Sequence, residues 1–418
     1  MNGFPHWSIE LKESDFNFIQ MTEQETQSPM NQDTDKCPEK ITLVHSGDDY
    51  FLRAKNIILN AQFEIHLQMY IFEVDTTGIE IINALKEAAL RNVKIFILLD
   101  GYGSYSFPNA IIKELILLGI NIRFFSPFFS GNNFYIGRRL HHKIITVDGT
   151  VALIGGINIS NNYKGTATEK PWLDYAVMIE SNNTAKQLEQ LCQNIYFKYK
   201  RTKRIELPSV SYLDKETTVS ILQNDWLKRN KEIVMSYVKS IQKSQKEVII
   251  VGCYFLPGRR FTKVLKKAAK RGVKIKLILS GISDIPFMQR ATSHLYTTLL
   301  QNNIELYEWN NSVLHGKVAL VDTKWATIGS FNLNHLSSFG SIETNVAIAS
   351  VPFAKTLASD LNNVISQCEK ITYETIKKKS NRFSIVANWF SYQFVRMTLI
   401  IITYIPYNRF MNKYREEN

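Results

Sequence analysis

Cysteine is scarce in this 418-residue chain: Cys37, Cys192, Cys253 and Cys368 are scattered, with no CxxC pair. That excludes a disulfide framework and a cysteine zinc site, and it fits a reducing compartment. No stretch of 18 uncharged apolar residues occurs, so no segment reads as a transmembrane helix. The N-terminus has no basic region followed by an apolar run, which argues against a secretory signal. Carboxylate clusters suited to Mg²⁺ are missing, and neither a metal nor another cofactor is expected. Acidic residues are in the minority, 38 against 50 Lys and Arg, a net charge of +12. A chain this basic expects an anionic partner, either nucleic acid or an anionic membrane surface. What remains is a soluble or membrane-surface protein of the cell interior, long enough for two domains of ordinary size.

The chain carries one pattern twice. Residues 1–39 are polar and read as a loose extension. From Ile41 onward, short apolar strands alternate with amphipathic helices: EIHLQMYIF (64–72), then IEIINALKEAALRN, then VKIFILLD (93–100). Strand, helix and strand at this length predict parallel sheet units. ALKEAALRNVKIFILLDG (84–101) aligns with VLKKAAKRGVKIKLILSG (264–281) at a constant offset of 180. EIHLQMYIF aligns with EVIIVGCYF (247–255) by its tyrosines, with a loop four residues shorter in the second copy. The chain reads as a tandem duplication of one α/β unit, with repeats over 40–200 and 219–370. A basic linker spans 201–218, and a basic amphipathic segment covers 371–418.

Each copy contains one dense polar string. HHKIITVDGTVALIGGIN supplies His141, Lys143, Asp148, Gly155 and Asn158; HGKVALVDTKWATIGSFN supplies His315, Lys317, Asp322, Gly329 and Asn332. All five positions keep one offset of 174. In a β-rich stretch, a His and a Lys two apart project from one strand face and make an anion site containing a titratable nucleophile. The glycine lets backbone approach a ligand closely, and the Asn amide can donate to an oxyanion. Two copies facing each other would present two His, two Lys and two Asn to one phosphate. That suits displacement at a phosphodiester, one His attacking phosphorus while the other protonates the leaving oxygen.

This string, HxKxxxxD followed by a GG/GSxN element, resembles the signature of the phospholipase D superfamily and stands in both copies. Within the superfamily the chain is most similar to bacterial cardiolipin synthases of the type without an N-terminal transmembrane pair. DGYGS (100–104), GRRLHHKIITVDG (137–149), GGINIS (155–160) and WLDYAVMIE (172–180) carry that character. The resemblance implies an α/β fold of two mixed sheets flanked by helices, with one shared active site at their interface. It implies His141 as nucleophile and His315 as general acid, an assignment that differs between members. Lys143 and Lys317 complete the motif with Asp148 and Asp322, which are carried over as structural members rather than as acid or base. Asn158, Ser330 and Asn332 are expected to bind substrate; Gly156 stands where Ser330 stands in the second copy. Asp174 and Glu343 each open an apolar strand, and an acid there either orients a catalytic imidazole or simply solvates a strand end.

The implied reaction is phosphatidyl transfer from one phosphatidylglycerol to another through a phosphatidyl-histidine, giving cardiolipin and glycerol. Hydrolysis by a phospholipase D is the alternative within the same chemistry, and a phosphodiesterase or nuclease is the next. No nucleic-acid-binding module is visible, and the site requires no oligomer. His142 points away from His141 and Lys143, to a packing or surface role. Arg138, Arg139, Arg259 and Arg260 read either as headgroup contacts or as solvated loop. The basic run over 198–204 reads as a solvated linker rather than a nucleic-acid patch. Lys377, Lys378, Lys379 and Arg382 precede an apolar stretch with Trp389, Phe390, Tyr392 and Phe394, interrupted by Arg396. This reads either as an interfacial anchor on an anionic membrane or as a helix docked on the core. The expected location is the cell membrane, peripheral on the cytoplasmic side.

Overall fold

The computed structural model describes residues 39–126, 129–130, 133–134, 138–197, 217–225, 230–334, 340–379, 381 and 383–398. The expected polar extension up to residue 38, the linker run over 198–216, Arg382 and the residues beyond 398 lie outside the described residues.

In the first repeat the strands are β1 (Lys40–His45), β2 (Glu64–Met69), β3 (Lys94–Asp100) and β4 (Asn121–Phe125), with a separate short pair, β5 (Phe129–Ser130) and β6 (Asn133–Phe134). β7 (Arg139–Leu140), β8 (Lys143–Val147), β9 (Val151–Gly155) and β10 (Tyr175–Glu180) follow. The second repeat contributes β11 (Thr217–Asp225), β12 (Asn230–Lys231), β13 (Glu247–Gly252), β14 (Lys274–Ser280) and β15 (Ile304–Trp309). After these come β16 (Lys317–Val321), β17 (Trp325–Gly329), β18 (Ser341–Ser350) and β19 (Glu369–Ile371). The first sheet runs β1-β10-β9-β8-β2-β3-β4; the second contains β11-β18-β17-β16-β13-β14-β15, flanked by β12 and β19. Position for position, the strand order is the same.

The parallel units are those the pattern predicts. β2 pairs β3 and β13 pairs β14 in parallel, each through a crossover helix. The helix Thr76–Leu90 starts where Asp75 accepts the Gly78 N–H at 2.9 Å. Its counterpart, Arg259–Lys270, buries Phe261, Val264, Leu265 and Ala268, one stripe at helical spacing, and leaves its Lys and Arg outside. β8, β9 and β10 add antiparallel, as do β16, β17 and β18, so both sheets are mixed.

Two details differ from the sequence reading. Pairing Ile65 with Val147 and Val248 with Val321 gives an offset of 183, so the loop is three residues shorter and Cys253, not Tyr254, stands where Tyr70 stands. Asp148 and Asp322 enforce this register. Each takes three backbone N–H groups, from Gln62, Phe63 and Glu64 at 2.8 Å and from Gln245, Lys246 and Glu247 at 2.8–2.9 Å. Both have φ +53°, which turns the carboxylate back over the start of β2 or β13. The second difference is that β8 and β16 begin at the lysines rather than at the histidines. The backbone just before each Lys has left its own sheet to bond the other repeat.

The sheets share a core. Ile144, Ile154, Val177 and Leu188 of the first repeat pack with Val251, Ile328, Val346 and Leu357 of the second. Alternation along β9 sends Ala152 and Ile154 into this shared core and Leu153 into the first repeat's own. Each such buried side chain contributes about 1.5–3 kcal/mol, so separating the repeats would expose this apolar face at a large cost. A helix over 383–398 docks by Val395 and Tyr392 on Leu256, Phe287, Met288, Ala291 and Leu295. Lys379 does not face outward unpaired: it binds Glu369 at 2.6 Å and Glu308 at 3.3 Å.

The triple anchors make a stability prediction. Hydrogen bonds to an ionised acceptor are worth about 1.5–3 kcal/mol each when buried, less at a partly exposed turn. Asp148→Ala should therefore lower unfolding free energy by about 3 kcal/mol in denaturant titration, while turnover per folded molecule stays within a few fold. Full stability with lost turnover would instead place Asp148 in the chemistry.

Candidate active site

The site is built by an exchange of backbone between the repeats. Arg139 and Leu140 of β7 pair in parallel with Ser341 and Ile342 at the start of β18, and His141 N–H donates to Ile342 O at 3.0 Å. The same move occurs in reverse. Leu173 N–H donates to Val313 O and His315 N–H to Leu173 O, both at 2.8 Å. Each histidine is thereby set beside the residue that follows its partner: Glu343 after Ile342, Asp174 after Leu173.

The side chains complete what the backbone begins. His141 Nδ1 lies 2.7 Å from Glu343 Oε2, and His315 Nδ1 lies 2.6 Å from Asp174 Oδ2. Both carboxylates are fully buried. A carboxylate at Nδ1 holds the proton there and leaves Nε2 as the reactive nitrogen. Asp174 and Glu343 thus serve the histidine of the other repeat.

Each lysine reaches back to the carbonyl of its own histidine: Lys143 Nζ donates to His141 O at 3.0 Å, and Lys317 Nζ donates to His315 O. Lys317 also lies 3.5 Å from Asp174 and 2.6 Å from His315 Nδ1. With the Nδ1 proton committed to Asp174, that contact places positive charge beside the ring rather than making a second hydrogen bond. Burial pushes Lys143 down to about 7, partly offset by Glu343 and deepened by Lys317. Burial likewise lowers His315 to about 4, with Lys317 contributing, and lowers His141 against the pull of Glu343. Lys143 responds to Lys317 and Asp174, groups that belong to the other half-site, so the two motifs form one electrostatic unit. Both buried lysines and both imidazoles stand ready to gain or hold a proton when an anion such as a phosphodiester arrives.

Asn158 accepts from Ile71 N–H at 3.1 Å and donates to the Tyr163 hydroxyl at 2.7 Å; Asn332 accepts from the Cys253 thiol at 3.0 Å. The Ser330 hydroxyl donates to Glu343 at 2.5 Å and accepts from Thr344 N–H. The structure places it on the carboxylate, not on open space. Gly156 is its complement: a Cβ there would stand 2.2 Å from Asp174 Oδ1. The shorter acid lies over a glycine, and the longer one is held off by a serine. Asp148 and Asp322 do not enter the site; they stand at the far ends of β8 and β16, committed to the backbone.

His142 is buried between Gln68, 2.9 Å from Nδ1, and Thr344 of the other repeat, 2.8 Å from Nε2; burial takes it to about 3. Arg138 pairs with Asp225, and Arg139 donates to Ser126 O at 2.6 Å, so both are engaged within the protein. Arg259 and Arg260 are exposed at the start of their helix.

Several side chains around the histidines escaped the sequence reading. The Tyr70 ring stands edge-on to His141 at 4.8 Å, with Lys143 Nζ 4.9 Å over it. The Tyr163 hydroxyl approaches His315 Nδ1 at 3.2 Å, and Trp172 and Tyr254 flank the same ring at 5.9 and 6.1 Å. Asp100 accepts Leu140 N–H at 2.8 Å and fixes the residue before His141. Tyr254 and Asp100 were visible in the repeat alignment, at the ends of matched strands. Tyr163 had no such signal.

Comparison with known proteins agrees with this fold. A family model described as cardiolipin synthase, phospholipase D-like domain, matches residues 55–196 and 237–365. Cardiolipin synthase B of Escherichia coli (strain K12) is 32% identical over 379 residues, covering 88% of this chain and 90% of that protein. Cardiolipin synthase 1 of Staphylococcus epidermidis (strain ATCC 12228 / FDA PCI 1200) is 27% identical over 347 residues, covering 81% and 70%. Among solved structures, the phosphatidylserine synthase of Haemophilus influenzae Rd KW20 superposes with a TM-score of 0.69 at 16% identity, covering 87% of this chain and 94% of that one. This last likeness concerns the fold.

The buried imidazoles set a pH dependence of stability. His66, His141, His142, His294 and His315 are all held below the usual histidine value by burial, and of the described histidines only His45 is raised, by its hydrogen bond to Asp360. As pH falls through about 6.5, the unfolded chain takes up protons that these native imidazoles refuse, so stability falls with pH. The melting temperature should drop between pH 6.5 and 5, and His142→Asn should flatten that slope. A slope of opposite sign would mean that these histidines are charged in the native protein.

Proposed function

The chain belongs to the cardiolipin synthase family of phospholipase D-like phosphatidyltransferases, and we propose that it joins two phosphatidylglycerol molecules into cardiolipin and glycerol. His141 Nε2 attacks the phosphorus of the first lipid. The bond from phosphorus to the glycerol headgroup oxygen breaks, and that oxygen takes the proton of His315 Nε2 as glycerol leaves. The phosphatidyl group is then carried on His141 through a P–N bond. A headgroup hydroxyl of a second phosphatidylglycerol gives its proton to the now neutral His315 and attacks phosphorus. The P–N bond breaks, His141 is restored, and cardiolipin is released. One ester is exchanged for another, so no energy source is needed.

The observation that carries this reading is the crossed pair of carboxylate-held imidazoles, His141 with Glu343 and His315 with Asp174. A displacement through a covalent intermediate needs a nucleophile and a proton donor that exchange roles between steps, and each repeat supplies one. Lys143 and Lys317, with the Asn158 and Asn332 amides, are the groups available to the equatorial oxygens. Before substrate binds, His315 is neutral at pH 7; the arriving phosphodiester charge favours its protonated form and so readies the acid. This reading puts the enzyme at the membrane surface, on the cytoplasmic side; its +12 charge and scattered cysteines support it. No helix among the described residues is long and apolar enough to cross a membrane.

Purified protein incubated with phosphatidylglycerol vesicles should yield cardiolipin and glycerol in equal amounts. His141→Ala or His315→Ala alone should lower the rate on the order of 10³-fold or more. Half-activity in either single variant would mean two independent sites. Phosphorus-labelled substrate should leave acid-labile, base-stable label on the protein. Phosphatidic acid as the main product would move the assignment to hydrolysis.

A further inference from the structure

We infer that the mouth of the active site is itself the membrane-docking surface. The loops that follow β3 and β14, one from each repeat, enter an anionic lipid bilayer together with the outward face of the helix over 383–398. The inference rests on the reading that the substrate is a membrane phospholipid.

Both loops lie close to the histidines. The loop over 101–106 leaves Asp100, whose carboxylate binds Leu140 N–H beside His141, and Arg139 covers the Tyr102 ring at 5.4 Å. The loop over 281–285 carries Asp284, which accepts from the Tyr254 hydroxyl at 2.5 Å, and Tyr254 stands edge-on to His315. Each loop is therefore one or two side chains removed from one histidine. Both leave the ends of their parallel strands at the side where the histidines sit, because β8 and β16 begin there antiparallel to β2 and β13.

These loops also expose apolar side chains at matching positions. Tyr102 and Tyr105 in the first repeat correspond, 180 residues on, to Ile282 and Ile285 in the second, and all four are exposed, Tyr105 by 81%. The repeats have diverged in residue type and kept apolar character at the same two places. The helix over 383–398 continues this surface. It is seated on the helix Pro286–Ser293 that follows the second loop, with Phe394 against Phe287 at 5.3 Å and Tyr392 against His294 at 4.8 Å. Its other side presents Phe383, Val386, Trp389, Phe390 and Met397 to the outside. Eleven of the twenty exposed large apolar side chains among the described residues lie on these three segments.

Charge identifies the occupant. Arg259 and Arg260 open the helix after β13 at the same end of the sheet, Arg290 lies on Pro286–Ser293 and Arg396 on the helix over 383–398; all four are exposed. Exposed apolar side chains with exposed guanidinium groups on the same or adjoining elements match acyl chains beneath anionic headgroups. A second copy of this chain would meet the same arginines with its own and would cap the pocket mouth.

The test uses the full chain and vesicles of phosphatidylcholine with and without phosphatidylglycerol. Flotation of the double variant Tyr105→Asp, Ile285→Asp should fall by about tenfold or more on the anionic vesicles, with an unchanged melting temperature and turnover of soluble dihexanoyl phosphatidylglycerol within about twofold. Brominated acyl chains should quench a fluorescence component that Trp389→Phe removes. Flotation of the double variant equal to the parent, or no quenching assigned to Trp389, overturns the inference. So does a dimer in light scattering that the double variant dissolves while vesicle binding is unchanged. A parent protein that floats and is quenched as expected but forms no cardiolipin upholds the surface and removes the functional reading.

Discussion

A carboxylate delivered from each repeat to the histidine of the other is the contact on which the rest of this molecule depends. An isolated repeat would have a histidine without its acid and an acid without its histidine. Crossing the pairs makes assembly of the reactive centre the same event as burial of the shared core. The backbone bonds from His141 to Ile342 and from His315 to Leu173 then fix the imidazoles relative to those acids. Positioning to within a fraction of an ångström is what such a displacement requires, and it is supplied by sheet pairing rather than by flexible side chains.

Burial has a second consequence. It lowers the histidines and Lys143, so the site keeps fewer charges than its composition suggests, and in the proposed mechanism an arriving phosphodiester would restore them. Elements outside the chemistry protect this arrangement. His142 ties β2 to β18 between the two half-sites, Asp148 and Asp322 lock the strands that carry the lysines, and Asp100 holds Leu140.

Much of this was legible in the sequence, for a definite reason: duplication turns weak local signals into paired ones. The five-residue strings separated by 174 positions mark both half-sites, and the alternating strands and helices mark the parallel units. The crossing itself was not legible. Glu343 lies 202 residues from His141, and Asp174 lies 141 residues from His315, and nothing local says that the chain leaves its own sheet just before each motif. Alignment by tyrosines slipped by one position because Tyr254 sits beside the true equivalent of Tyr70; hydrogen bonding by Asp148 and Asp322, invisible in composition, sets the register. Ser330 read as a phosphate ligand because the length difference between Asp174 and Glu343 had no meaning until both were seen against their neighbours. The segment after residue 371 divided two readings, anchor or docked helix; the helix over 383–398 docks by one face, and its other face is apolar and exposed.

The measurement that tests the crossed arrangement most directly is the release of p-nitrophenol from a phosphatidyl p-nitrophenyl ester in single-acid variants. This leaving group departs without a proton, so the first step needs the nucleophile but not the general acid. If Glu343 orients His141, Glu343→Gln should slow the p-nitrophenol burst on the order of 10³-fold, and Asp174→Asn should leave that burst nearly intact while stopping turnover of phosphatidylglycerol. A burst lost in Asp174→Asn and kept in Glu343→Gln would contradict the account.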